Sequence, residues 1–315
     1  MPDDFGTGHM PSNTPRRTRS LRKSTASMLI AMTIVALPVT AGAQPAGQAA
    51  PRPTQATSKT RKVKAWEFTS KRYQVALLEL YTSQECESCP PVDTFVSNLP
   101  RDGYGFDRVV PAAFHVSYWP HLGWTDALAR EEFVERHRLY NASHGGHPPY
   151  TPQIVLNDEN ELLRDRPLQQ RIDRYSMRPP PMKLIVRVEL SLDGRDLAVL
   201  AQADRSTVET AIREPSFAQF AIIEMGIEQS ITGGENKGKT LRYDYVVRRL
   251  LPEANIRPED DIVPMGFGPF RLDPQWKVEK LGIVGWVRVR ASGAVQQAVG
   301  GLLDPAKASI ETIPD

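Results

Sequence analysis

The chain has 315 residues, 24% of them charged, and a formal net charge of +2 at neutral pH. That near balance excludes the strongly basic footprint of a nucleic-acid-binding protein, and the length allows two domains or one large one. The only two cysteines, Cys86 and Cys89, stand two residues apart.

The first feature in chain order concerns export. Residues 15–23, PRRTRSLRK, carry five positive charges and precede an apolar run from Ala26 to Val39, then Ala41-Gly42-Ala43. A basic segment, a short apolar run and a small-residue cleavage site predict a signal peptide over residues 1–43. The run is shorter than the roughly 20 residues needed to span a bilayer. The expected location is therefore the periplasm or the secreted fraction, with no stable membrane insertion after cleavage. Cleavage after Ala43 leaves 272 residues and removes five positive and two negative charges, so the net charge falls from +2 to −1. Residues 44–65, opening QPAGQAAPRPTQATSKTRK, carry few bulky apolar side chains and read as a flexible linker.

Globular patterning is expected from Trp66. Residues 73–82, YQVALLELYT, form a β-rich apolar run of strand length. The cysteines follow, then Pro90-Pro91 and a helical spacing of Val92, Phe95, Val96 and Leu99. Residues 108–118, RVVPAAFHVSY, predict a second buried strand. Residues 127–143 predict an amphipathic helix with Leu128, Phe133, Val134 and Leu139 near one face. Residues 152–157 read as a strand, Asp158-Glu159-Asn160 as a turn, 161–164 as a partner strand and 168–177 as a closing helix. Strands alternating with helices imply an α/β class with a parallel core sheet and an antiparallel edge.

A Cys-x-x-Cys between the first strand and its helix, with Thr151-Pro152 opening the third strand, resembles the thioredoxin fold over residues 66–180. The strings ELYTSQECESCPPVD, FHVSYWPHLGW, YTPQIVLN and GENKGKTLRYDYVVRRL resemble the exported bacterial family called domain of unknown function 1223. The resemblance spans nearly all of residues 72–300 and implies a thioredoxin-like domain with a β-rich tail. Gly is usual there before the first cysteine; Glu85 departs from it. The fold implies a cis Thr151–Pro152 peptide facing the cysteines.

The tail, residues 181–308, alternates differently. MKLIVRVELSL, the turn Asp193-Gly194 and the run 196–203 read as a hairpin. Runs 217–227, 240–251 and 280–290 read as further strands, and no helical period is convincing. A separate all-β sandwich-like domain is expected, with Arg242, Arg248 and Arg249 on a solvated face and Gly233-Gly234 in a turn.

A disulfide between Cys86 and Cys89 closes a very short loop, so its effect on unfolded-state entropy is small and stapling is weakly motivated. At a helix start, unpaired N–H groups and the helix dipole stabilise a thiolate. The favoured reading is thiol–disulfide exchange, with an exposed Cys86 attacking and a deeper Cys89 resolving. Thr151 and Pro152 complete the candidate catalytic set. Glu85 and Glu87 oppose a very acidic thiol, which points to a reductant or isomerase-like poise. The expected partners are exported protein thiols and disulfides and a membrane or periplasmic redox partner, with no cofactor.

The rival is a non-catalytic copper or zinc carrier using Cys86, Cys89 and His115, or a partner-binding module. His115 reads either as a satisfied core histidine or as a group tuning Cys86. His137 reads as a surface or packing residue. The His144–His147 loop is expected near the cysteines. Tyr118, Trp119 and Trp124 read as partly buried, with an apolar wall open to a peptide partner.

Overall fold

The computed structural model describes residues 59–118, 123–160, 167–209 and 211–314. The signal-peptide segment, most of the linker, Trp119, His121 and the partner strand at 161–164 lie outside them. The described residues belong to one compact unit.

Chain order begins with β1 (Thr60–Thr69) and β2 (Ala76–Thr82), then α1 (Cys89–Asn98) and β3 (Val109–His115). It continues through α2 (Glu131–Ser143), β4 (Gln153–Leu156), β5 (Glu159–Asn160) and α3 (Leu168–Ser176). The remainder is β: β6 (Lys183–Ser191), β7 (Asp196–Asp204), β8 (Ser216–Glu224), β9 (Ile227–Ser230) and β10 (Thr240–Tyr243). Then follow β11 (Val246–Leu250), β12 (Ala254–Ile256), β13 (Ile262–Arg271), β14 (Leu281–Val289), β15 (Val295–Leu302) and β16 (Ser309–Pro314). The class is thus mixed α/β, mostly sheet.

The expected boundary near residue 180 is absent. A nine-stranded sheet runs β15-β14-β8-β11-β3-β2-β4-β5, with β12 on β8, so strands from both halves of the chain share it. The seam is parallel: Val246 of β11 lies opposite Ala113 of β3, and Ala113 N–H donates to the Tyr245 carbonyl at 2.9 Å. A second sheet, β13-β7-β6-β1-β16, packs over the β8–β14 region. The period-2 alternation of β8 makes this possible. Ala218, Phe220 and Ile222 face the second sheet, whereas Ala221 and Ile223 face the core under the helices. The β-rich tail therefore supplies strands to both sheets and is not a detached domain.

Several local expectations shift. Residues 60–65 are not linker: Val63 and Ala65 alternate inward along β1, which β6 and β16 flank. Among the described residues the parallel pairings are β2–β3 and β3–β11; β4 runs antiparallel to β2. The tight turn is Asn157-Asp158, both at positive φ, with Glu159 already opposite Leu156. In α2, Phe133 and Val134 are buried but Leu139 is 61% exposed. Arg248 is not solvated; it pairs with Glu224 at 3.1 Å and lies over Trp276. Among the described residues no helix is long and apolar enough to cross a membrane.

Candidate functional site

Strand β2 ends at Thr82, and a turn carries the chain into α1, whose first residue is Cys89. Pro90 and Pro91 occupy its first turn, where a missing N–H costs nothing. Cys89, Asp93 and Val96 form the buried face of this helix, at spacings of four and three. Cys86, just before the helix, is joined to Cys89 in a disulfide. Cys86 is the more exposed of the two residues, but it is less open than predicted. It is 8% exposed, and Cys89 is sealed at 0%.

Thr151–Pro152 is cis, and the Thr151 carbonyl oxygen lies 3.6 Å from Cys86 Sγ. Ser88 Oγ stands 3.4 Å from the same sulfur. Thus Cys86, Cys89, Thr151 and Pro152 come together. Glu85 is buried and accepts a 2.6 Å hydrogen bond from Ser117, while Glu87 is exposed.

Beneath the cysteine turn lies a buried polar cluster. His115, opposite Thr82 across β2 and β3, shares a 2.7 Å hydrogen bond between Nδ1 and Asp126. Asp126 also accepts the backbone N–H of Gln84 at 2.9 Å, two residues before Cys86. Trp124 Nε1 donates to the Gln84 side chain at 2.9 Å. His115 is therefore linked to the cysteine turn through Asp126. Burial disfavours its imidazolium, but the Asp126 carboxylate, with Asp93 beyond, outweighs that and raises its pKa above the ordinary value. The ring meets Tyr243 edge-on.

Asp93 accepts a hydrogen bond from Thr82 at 3.1 Å. Burial pushes its carboxyl up to about 6, against the pull of His115 and the Thr82 hydroxyl. The folded pKa lies above the ordinary 3.8, so ionisation of Asp93 opposes folding. Its stability contribution is intact below about pH 4 and lost as pH rises through about 6. Asp93→Asn should therefore stabilise the protein near pH 8, by at most about 3 kcal/mol, and leave it unchanged in acid. Thermal melts at the two pH values check this; destabilisation at both would show that the ionised carboxylate supports the fold.

A third layer arrives from far along the chain. In the loop between β9 and β10, the buried Asn236 donates to two backbone carbonyls, Gln84 at 3.0 Å and Cys86 at 2.9 Å. Its own side-chain oxygen accepts from Lys239 at 2.9 Å. Neighbouring Glu235 accepts the backbone N–H of Glu87 at 3.0 Å. Gly233, read from sequence only as a turn, is seated so close to the Gly123 carbonyl that a Cβ would collide with it.

Of the other candidates, His137 is buried against Tyr81, with Tyr118 and Gln153 as hydrogen-bond partners. Burial lowers its pKa to about 4. His144 turns to Asp158 at 3.1 Å and not to the cysteines. Tyr118 and Trp124 are half-buried. Among the described residues no three His, Cys, Asp or Glu side chains are placed to hold a metal ion, so Cys86, Cys89 and His115 do not assemble as a donor set.

Asp93, Asp126 and Asn236 were not singled out from the sequence. Asp93 left a signal, being a carboxylate four residues after Cys89 on the apolar helix face. Asn236 left one too, inside the string GENKGKTLRYDYVVRRL.

Residues 77–288 match the family model described as a protein of unknown function, DUF1223. The chain belongs to that family. No curated protein matches the chain. An X-ray crystal structure of an Agrobacterium tumefaciens protein is similar at 24% identity, covering 76% of this chain and 95% of that one, with a TM-score of 0.46. HBP35 of Porphyromonas gingivalis is similar at 14% identity, covering 74% and 76%, with a TM-score of 0.54. At that identity the second likeness is one of fold.

Proposed function

We propose that this DUF1223 member is an exported, thioredoxin-like protein that exchanges thiols and disulfides with other exported proteins in the periplasm or secreted fraction. The observation that carries the reading is the Cys86–Cys89 disulfide at the start of α1, with Cys86 keeping 8% of its surface and Cys89 none. The order β2-α1-β3-α2-β4-β5-α3, with the Thr151 carbonyl beside Cys86, supports the thioredoxin-like part.

In the reduced protein the Cys86 thiolate attacks one sulfur of a substrate disulfide. A mixed disulfide forms and one substrate thiolate leaves. The Cys89 thiolate then attacks Cys86 Sγ, which releases the second substrate thiolate. The substrate gains two electrons, takes up two protons on its thiolates, and leaves the protein in its Cys86–Cys89 form. A membrane or periplasmic redox partner must restore the dithiol. The carboxylates of Glu87 and Glu235 near the turn favour thiol over thiolate, in keeping with a reducing or isomerising poise.

The reading is tested by mixing fully reduced protein with oxidised insulin and following insulin reduction. Turnover with a dithiol regenerant, abolished by Cys86→Ser, is the expected result. An unreactive protein that instead retains stoichiometric copper or zinc through both cysteines would replace exchange by metal carriage.

A further inference from the structure

The cysteine turn is held from outside its own neighbourhood. Asn236 takes the carbonyls on both sides of Glu85, and Glu235 takes the N–H just after Cys86. These bonds cross about 150 residues of sequence. A buried carbonyl without a partner is costly, so the Asn236 amide fixes the turn in one conformation. The same loop is bonded to the backbone on both sides of the Cys86–Glu87 peptide, and Cys86 retains only 8% of its surface. Gly233, packed on Gly123, sets how closely the loop can approach.

We propose that Glu235 and Asn236 are positioning residues that keep Cys86 covered and restrain its reactivity as a nucleophile. This deepens the exchange reading and rests on it for its biological meaning. Two effects are separable. The loop limits access, which selects extended or flexible disulfide segments over sulfurs embedded in a folded surface. Glu235 also supplies negative charge at the peptide just after Cys86, which disfavours a thiolate there.

Other charges act on the same sulfur. Glu85 and Glu87 flank it in the chain, and Lys239, held to Asn236, offsets part of the Glu235 charge. Asp126 and His115 face the turn from below through Gln84, and Asp93 lies on the helix behind Cys89. Because these groups stay in place, a change confined to the β9–β10 loop isolates its contribution.

A Cys89→Ser background leaves Cys86 as the only thiol, so iodoacetamide alkylation against pH reports on it alone. Adding Glu235→Gln should move the alkylation midpoint to lower pH by about half a unit, a rate gain near neutrality of roughly threefold. Adding Gly233→Val, whose side chain cannot fit against Gly123, should raise the rate at every pH and leave the midpoint nearly in place. Asn236→Ala should raise the rate and lower the melting temperature together. Unchanged midpoint with Glu235→Gln and unchanged rate with Gly233→Val would overturn the proposal, since a merely structural loop predicts only lower melting temperatures. Alkylation does not depend on a protein substrate. If these shifts appear while insulin stays unreduced, the exchange reading fails and the positioning role stands.

Discussion

The Cys89→Ser variant is expected to accumulate mixed disulfides with exported proteins, and Cys86→Ser to trap almost none. The asymmetry follows from placement. Cys86 precedes α1 and keeps a contact surface, whereas Cys89 is the first residue of the helix and fully enclosed. Attack on an incoming disulfide requires a reachable sulfur with thiolate character. Resolution requires only a second thiol in place, and such intramolecular steps profit from effective molarities of about 10⁵–10⁸ M. Removing Cys89 removes that step and lengthens the life of the mixed disulfide by orders of magnitude. Non-reducing gels of the two variants from the exported fraction provide the measurement. Equal trapping by both would overturn the assigned roles. Trapping by neither, with loss of a bound ion in each, would indicate a metal site.

What could be read from the sequence divides along chain separation. The strand from 73, the cysteine turn and the helix behind it are local patterns, with apolar periods and prolines in the positions their elements need. The structure keeps all three. The separate tail domain was misread because local alternation reports a strand's faces but not its neighbours. Nothing in VVRRL states that β11 will pair with β3. Strand β13, IVPMGFGPFR, is disguised by two prolines and two glycines, which it tolerates as an edge strand with a register shift after Phe267. Strand β1 is disguised by lysines at 62 and 64 that alternate with the inward Val63 and Ala65. At the site, the cysteines and Thr151-Pro152 carry recognisable chemistry. Asn236 acts through an amide donated to backbone carbonyls, and an asparagine in a glycine-rich loop looks the same whether or not it does so.

Glu79→Gln is expected to be the most destabilising single substitution outside the apolar core. Within ELYT this residue reads as one polar position in an apolar strand, yet it is 1% exposed. Arg136 of α2 donates to it at 2.6 and 3.0 Å, and Arg288 of β14 pairs with its other oxygen. Arg136 also reaches Gln219 of β8 at 3.0 Å, and Arg288 reaches Asp158 at 2.9 Å. One carboxylate thus ties β2, α2 and β14 together, across the seam between the two halves of the chain. Burial alone would raise its pKa, but the two guanidiniums outweigh burial and hold it below the ordinary value. Removing the charge leaves two partly desolvated guanidiniums short of a counter-ion, a loss of about 3–5 kcal/mol for a buried pair. At about 2–4 °C per kcal/mol for a domain of this size, the melting temperature should fall by about 6–20 °C. The exposed Arg213–Asp261 pair is the control, since Asp261→Asn should cost no more than about 1 kcal/mol. The pH dependence supplies a second check. A depressed folded pKa gives stability that is present above the unfolded value of 4.5 and lost as pH falls through the folded value. The gap between Glu79→Gln and the parent should therefore be full at neutral pH and close in acid. A gap that is small at neutral pH, or constant down into acid, would mean that the guanidiniums are stabilised by Asp158, Gln219 and solvent without Glu79.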